Sequence, residues 1–251
     1  MRRILLFLVS ILFLAAASKA QTADEIVAKS LAARGGLDRI LAVKSLRTTG
    51  SISFGGGDDG TIDVSWKRPG KFRQDLTLHG KSILRATDGS SAWMLNQLAG
   101  QAEAEPLPPE QMDGIAEQAD FDKPLVQYKE KGNKVDVVGK ETLDGKSAYK
   151  LKVTLKNGVV RYEWIDAETY LESRWQGKVS VGGKDIEFAT SFSDYRPVDG
   201  VKFAFQVDTQ TIGSDQRQKI VFTRIEVNPP MADTWFVRPA SPTPAGKSVQ
   251  K

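Results

Sequence analysis

The chain has 251 residues, no cysteine and one histidine. That removes disulfides and thiolate metal sites and leaves almost no room for Ser-His, Cys-His or multi-histidine chemistry. Its 35 Lys+Arg against 31 Asp+Glu give a formal charge of +4, but Arg2, Arg3 and Lys19 fall at the very start and the other bases are interspersed with acids, so no basic footprint of a nucleic-acid binder remains.

Taken in chain order, the first residues read as an export signal. Arg2 and Arg3 precede an apolar run from Ile4 to Ala17, and Ser18-Lys19-Ala20 offers the small residues that a signal peptidase reads. The run falls short of the roughly 20 residues a membrane-crossing helix needs, and no later stretch is both long and uncharged. Residues 1–20 are therefore expected to be a cleaved signal peptide, with the mature chain starting at Gln21. No Cys follows to accept a lipid, so a soluble, monomeric periplasmic protein without a lipid anchor is expected.

Thr22-Ala23-Asp24-Glu25 has the pattern of a capping box, and Ile26, Val27, Ser30 and Leu31 recur at helical spacing up to Gly35-Gly36. A second short helical turn runs from Leu37 to Val43. From Ser45 the period changes to two: Ile62, Val64 and Trp66 share a face, as do Phe72, Gln74, Leu76 and Leu78. After Asn96 the alternation stops, and Pro106, Pro108 and Pro109 lead into a short helix over Glu110 to Asp120 within a long connection. Strand character resumes near Lys134 and persists to Val227. Tyr149, Leu151, Val153 and Leu155 form one apolar face; Val160, Tyr162 and Trp164 form the next; Ile186, Phe188 and Phe192, then Val201, Phe203, Phe205 and Val207, follow. Turns are marked by Asp144-Gly145, Asn157-Gly158, Gly182-Gly183 and Asp199-Gly200. The pattern predicts one mainly β domain over 21–239, an antiparallel meander of about ten strands, near the limit at which an open sheet must curl, with a single dry face. The Pro-, Ser- and Lys-containing tail 240–251 is expected to be disordered.

Catalytic motifs are missing. His79 stands in His79-Gly80, a turn pair, and no G-x-S-x-G elbow occurs. Three Gly-Lys-Ser triplets, at Gly80, Gly145 and Gly246, have Asp75, Lys140 and Ser241 where a phosphate-binding loop requires glycine. Asp58-Asp59, flanked by glycines, reads as a hairpin rather than a calcium loop. The chain is expected to be neither an enzyme nor dependent on a cofactor or metal. A curled sheet with a dry concave face must fill it with side chains, helices or a ligand. The candidates to line that face are Trp66, Phe72, Trp93, Trp164, Trp175, Phe188, Phe192, Phe203 and Phe205; composition leaves a plain core and a ligand cavity both open.

The run from Gly60 to Phe72, containing Lys67-Arg68-Pro69-Gly70-Lys71-Phe72, resembles the signature strand pair of the LolA-type periplasmic lipoprotein carriers. Ser82 to Trp93, with Asp88-Gly89, resembles their next strand, and Val227-Asn228-Pro229-Pro230 through Trp235-Phe236 is similar to the closing segment of the broader outer-membrane lipoprotein-sorting family. The resemblance implies a curved antiparallel half-barrel with lid helices enclosing an apolar cavity. It implies that Arg68 clasps the lid and that Phe72 receives cargo. It further implies a carrier that binds the acyl chains of a lipoprotein or lipid and transfers them toward the outer membrane, loaded by an inner-membrane ABC-type transporter and unloaded at an outer-membrane acceptor. An envelope-stress sensor and a structural envelope protein are the alternatives on the same fold.

Overall fold

The computed structural model describes residues 21–181 and 184–240. The expected signal peptide 1–20, the tail 241–251 and the Gly182-Gly183 turn lie outside the described residues. Helix α1 (Ala23–Arg34) starts as its sequence predicts: Thr22 Oγ1 accepts from the Glu25 amide, and Glu25 Oε2 accepts from the Thr22 amide at 2.9 Å. It stops at Gly35, whose φ of 127° disfavours side chains and where a Cβ would sit 2.2 Å from the Gly200 carbonyl oxygen. A second helix, α2 (Leu37–Ala42), follows directly.

Six strands come next: β1 (Ser45–Phe54), β2 (Asp58–Lys67), β3 (Lys71–Leu78), β4 (Lys81–Thr87), β5 (Ala92–Asn96) and the two-residue β6 (Glu105–Pro106). After α3 (Met112–Ala119), seven more are laid down: β7 (Lys134–Leu143), β8 (Lys146–Thr154), β9 (Val160–Asp166), β10 (Glu172–Val181), β11 (Lys184–Val198), β12 (Val201–Thr211) and β13 (Arg217–Val227). All belong to one antiparallel curved sheet of thirteen strands rather than about ten. The count rises because β6 is too short to show a period and because polar residues alternate through much of β7 and β13. At His79-Gly80, Asp144-Gly145 and Asp199-Gly200 both central residues have positive φ, between 48° and 80°, as tight hairpins with the sheet's own twist require.

The strand order is β6-β5-β4-β3-β2-β1-β13-β12-β11-β10-β9-β8-β7. Pairing of β1 with β13 joins two meanders in the middle, so β6 and β7, neighbours in sequence, become opposite edges of the sheet. The connection 107–133 must therefore cross the whole sheet. It does so over the face that also carries α1 and α2, and this inner face holds three apolar clusters. Ile115 and Ala119 of α3 pack with Ile52, Ile62, Val64, Phe72, Leu76 and Leu78. Ile26 and Val27 of α1 pack with Leu125, Leu151, Val153 and Ile165. Ile40 of α2 packs with Val126, Val201, Phe205 and Ile225. Among the described residues no helix is long and apolar enough to cross a membrane.

Candidate functional site

Register decides which expected lining residues face the crossover. Leu46↔Trp66↔Phe72 carries Trp66 and Phe72 to the inner face beside the buried Ile62 and Val64. Thr190↔Trp175, Gly177↔Phe188 and Phe192↔Val207 place Trp175, Phe188 and Phe192 there, and Phe203 and Phe205 follow on β12. Trp93 is a correction. It lies opposite Ala86 on β4, which itself pairs with Arg73, one residue out of phase with Phe72, and so on the outer face, where it is 2% exposed. Trp164 is a second correction: it pairs with Lys150 and Arg174 and also points outward, with its indole donating to Glu141. On β9 the inner face is instead Arg161, Glu163 and Ile165. The face of Val160, Tyr162 and Trp164 was apolar in sequence, and yet it is the outer one.

Arg68, at the end of β2, reaches under the helices. Its Nε donates to the Val43 carbonyl at 2.7 Å and one terminal nitrogen to the Ile40 carbonyl at 3.3 Å, both at the C-terminal end of α2. Both terminal nitrogens pair with the Asp122 carboxylate of the crossover, and the guanidinium lies 4.6 Å from the centre of the Phe121 ring. Cations suit a helix C-terminus, whose carbonyls are left unpaired. One side chain thus ties β2, α2 and the crossover together. Nearby, Trp66 Nε1 donates to the Gln118 carbonyl at 2.8 Å, a second polar tie to the end of α3.

A charged group occupies the floor beneath the far half of the crossover. Arg161 is bound by Glu163 at 2.6 Å and by Glu117 of α3 at 3.1 Å, and its guanidinium lies 4.8 Å from the Trp175 ring. Lys123 of the crossover binds Glu172 at 2.6 Å with its ammonium over the Phe192 ring. Desolvation pushes the Glu163 carboxyl above its usual range against the pull of Arg161, and it pushes the Lys123 ammonium below the usual lysine range despite Glu172. Burial also raises the Tyr195 hydroxyl, which donates to the Glu172 carbonyl at 2.8 Å. Arg161, Glu163 and Glu172 escaped the sequence reading because alternating charges on a strand look like a solvated face, and Asp122 and Lys123 because they lie in a connection with no period to read. The nearest signal was an arginine and a glutamate two apart beside large aromatics.

The outer face is not wholly wet, as a sheet with one dry side would be. The segment after β13 folds back on it: Ser45 Oγ donates to the Pro229 carbonyl at 2.8 Å, Lys67 to Met231 O at 2.7 Å, Arg73 to Trp235 O at 2.9 Å and Trp93 Nε1 to Phe236 O at 2.9 Å. Phe236 is completely buried. Lys67 and Lys71 flank Asp233 at 2.7 and 2.8 Å and hold its carboxyl down at about 2. Between this segment and the strands lies an open groove of about 750 Å³, walled by Arg47, Arg73, Pro230 and Trp235. The single histidine, His79, sits at its hairpin 3.1 Å from Asp58, a contact that joins the two glycine-flanked turns.

No protein-family model matches the sequence, and no curated protein matches it. Solved structures do. A DUF1329 family protein from Desulfovibrio piger superposes with a TM-score of 0.59 at 14% identity, covering 85% of this chain and 96% of that one. A LolA superfamily protein from Nitrosomonas europaea gives 0.58 at 15% identity, covering 87% and 99%. An outer membrane lipoprotein-sorting protein domain from Vibrio parahaemolyticus gives 0.55 at 10% identity, covering 84% and 94%. At these identities the likeness shows the fold: this chain has the LolA-like fold that its Lys67-Arg68-Pro69 region suggested.

Proposed function

We propose that this protein is an exported, non-enzymatic carrier that receives the acyl chains of a lipoprotein or lipid on its inner face and moves them toward the outer membrane. The observation that carries the reading is the crossover 107–133, which spans an aromatic-lined face yet is fastened along its polar positions by Arg68, Trp66, Arg161 and Glu172. A covering held by a few polar ties can lift as a unit. The lid role of Arg68 and the cargo role of Phe72, Trp66, Trp175, Phe188, Phe192, Phe203 and Phe205 belong to this proposal. Trp93 and Trp164 drop out of the lining. The names of the Nitrosomonas and Vibrio proteins, a LolA superfamily member and a lipoprotein-sorting domain, support it.

In the closed form the crossover's own Ile115, Ala119, Leu125 and Val126 fill the inner face. Cargo would therefore exchange with these side chains and not enter an empty hollow. The test is displacement of a hydrophobic fluorophore from the exported protein. An acylated peptide is expected to compete at far lower concentration than the same peptide without its acyl chains. Equal competition by the two would remove the carrier reading and leave a structural envelope protein.

A further inference from the structure

The ammonium of Lys123 lies 3.7 Å from the centre of the Phe192 ring and 2.6 Å from Glu172 Oε2. The other carboxylate oxygen, Glu172 Oε1, is buried and accepts no hydrogen bond from any described group. Tyr195 fixes the backbone of Glu172 from the side. A carboxylate, an aromatic face and a spare buried acceptor are the parts of a receptor for an ammonium ion. The receptor belongs to the floor, with Glu172 on β10 and Phe192 on β11, while its occupant belongs to the crossover. Lys123 is also the less committed partner: 35% of its side chain is exposed against 9% for Glu172.

We propose that Glu172 and Phe192 form a binding site for a primary ammonium group borne by an acyl-chain cargo, and that Lys123 fills this site in the closed, cargo-free protein. The inference rests on the carrier reading. Lifting the crossover withdraws Lys123 and leaves the Glu172 carboxylate in a poorly hydrated place without its cation, a costly condition. A cargo that brings its own ammonium restores the pair, and Oε1 gives it a second acceptor that Lys123 leaves unused. A cargo without an ammonium leaves the charge stranded. The same exchange releases the Arg161 guanidinium from Glu117 of α3 and leaves it paired with Glu163 alone.

Two sources supply this chemistry: the ethanolamine head of a phospholipid, and the free α-amino group of an acylated polypeptide. Two matched pairs separate them. Lysophosphatidylethanolamine is compared with lysophosphatidylglycerol of the same chain, and a diacylated peptide with a free amino terminus is compared with its acetylated form, each displacing a hydrophobic fluorophore. In at least one pair the ammonium-bearing member should bind about ten-fold more tightly, the lower end of what a charge-assisted hydrogen bond gives. Glu172→Gln should bring that ratio close to one, with the member without ammonium binding at least as tightly as before, since no carboxylate is then stranded when the crossover lifts. Phe192→Leu, which spares the carboxylate, should reduce the ratio without abolishing it and stands in should Glu172→Gln fail to fold. Ratios near one in both pairs, or a ratio unchanged in both variants, overturn the ammonium site while leaving acyl binding intact. Failure of every acyl probe to displace the fluorophore overturns the carrier reading and this inference with it.

Discussion

Arg68 places its donors on two separate elements, the end of α2 and Asp122 of the crossover, and the carboxylate it meets is only 7% exposed. Removing the arginine would strand that carboxylate, and breaking one side of a buried pair typically costs about 3–5 kcal/mol. On the proposed reading, the cost falls on the closed form alone. A closed, empty state competes with cargo, so apparent affinity scales with the fraction of protein able to open. Arg68→Leu is therefore expected to raise affinity for an acylated ligand and to slow its release, by at least the roughly 10-fold that one charged hydrogen bond represents. Arg68→Lys should recover only part of the wild-type behaviour, because a point charge cannot serve two carbonyls and both carboxylate oxygens. Adding Asp122→Leu to Arg68→Leu should recover stability lost in the single variant, since no stranded charge remains. Off-rates from labelled cargo and thermal midpoints check all three. Unchanged off-rates in a stably folded Arg68→Leu would return this residue to a strand-end role.

The segment after β13 shows how an element with no regular structure is held. Asp233 is mostly exposed, and its carboxyl sits at about 2 because Lys67 and then Lys71 hydrogen-bond its charged form. A carboxyl lowered from 3.8 in this way contributes stability above its unfolded value, and that contribution disappears as pH falls through about 2. Proteolysis or amide exchange of residues 229–239 should therefore accelerate between pH 4 and 2, and Asp233→Asn should show the loosened behaviour already at neutral pH. Asp88 titrates in the same window, held at about 2 first by the Ser91 amide, but it acts on its own turn, so the Asn variant isolates the segment. The elements themselves were legible because local chemistry fixes them: the Thr22 capping box, the His79-Gly80 and Asp199-Gly200 turns, and the period of two that begins at Ser45. What stayed illegible was which face of a strand turns inward. Alternation gives two faces without saying which one the helices cover, and Trp93 and Trp164 were each assigned to the wrong one. Arg68 was legible only through its Lys-Arg-Pro setting. Arg161 and Glu172 were not, since their partners lie 44 and 49 residues away in the crossover.

At the scale of the whole molecule, the proposed carrier role gives the crossover a task, because any acyl carrier meets a difficulty of release. Burying a chain gains about 0.8 kcal/mol per methylene, so a site that enclosed long chains in an empty hollow would hold them too tightly to let go. On the proposed reading, cargo would first displace Ile115, Ala119, Leu125 and Val126, and only the difference between two apolar burials would remain to bind it. Such a mechanism requires the crossover to move while the sheet stays intact. The five tryptophans can separate the two events. Trp66 gives its indole N–H to the Gln118 carbonyl, so it reports the inner face and the end of α3. Trp93, 2% exposed on the outer face and bonded to Phe236, reports the sheet. In single-tryptophan variants with the others replaced by phenylalanine, an acylated ligand should shift the emission of Trp66 and leave that of Trp93 where it was. Denaturant should change both together at the global transition. If Trp93 responds to ligand as strongly as Trp66, cargo binding loosens the entire sheet, and the crossover is part of the fold instead of a cover that opens above it.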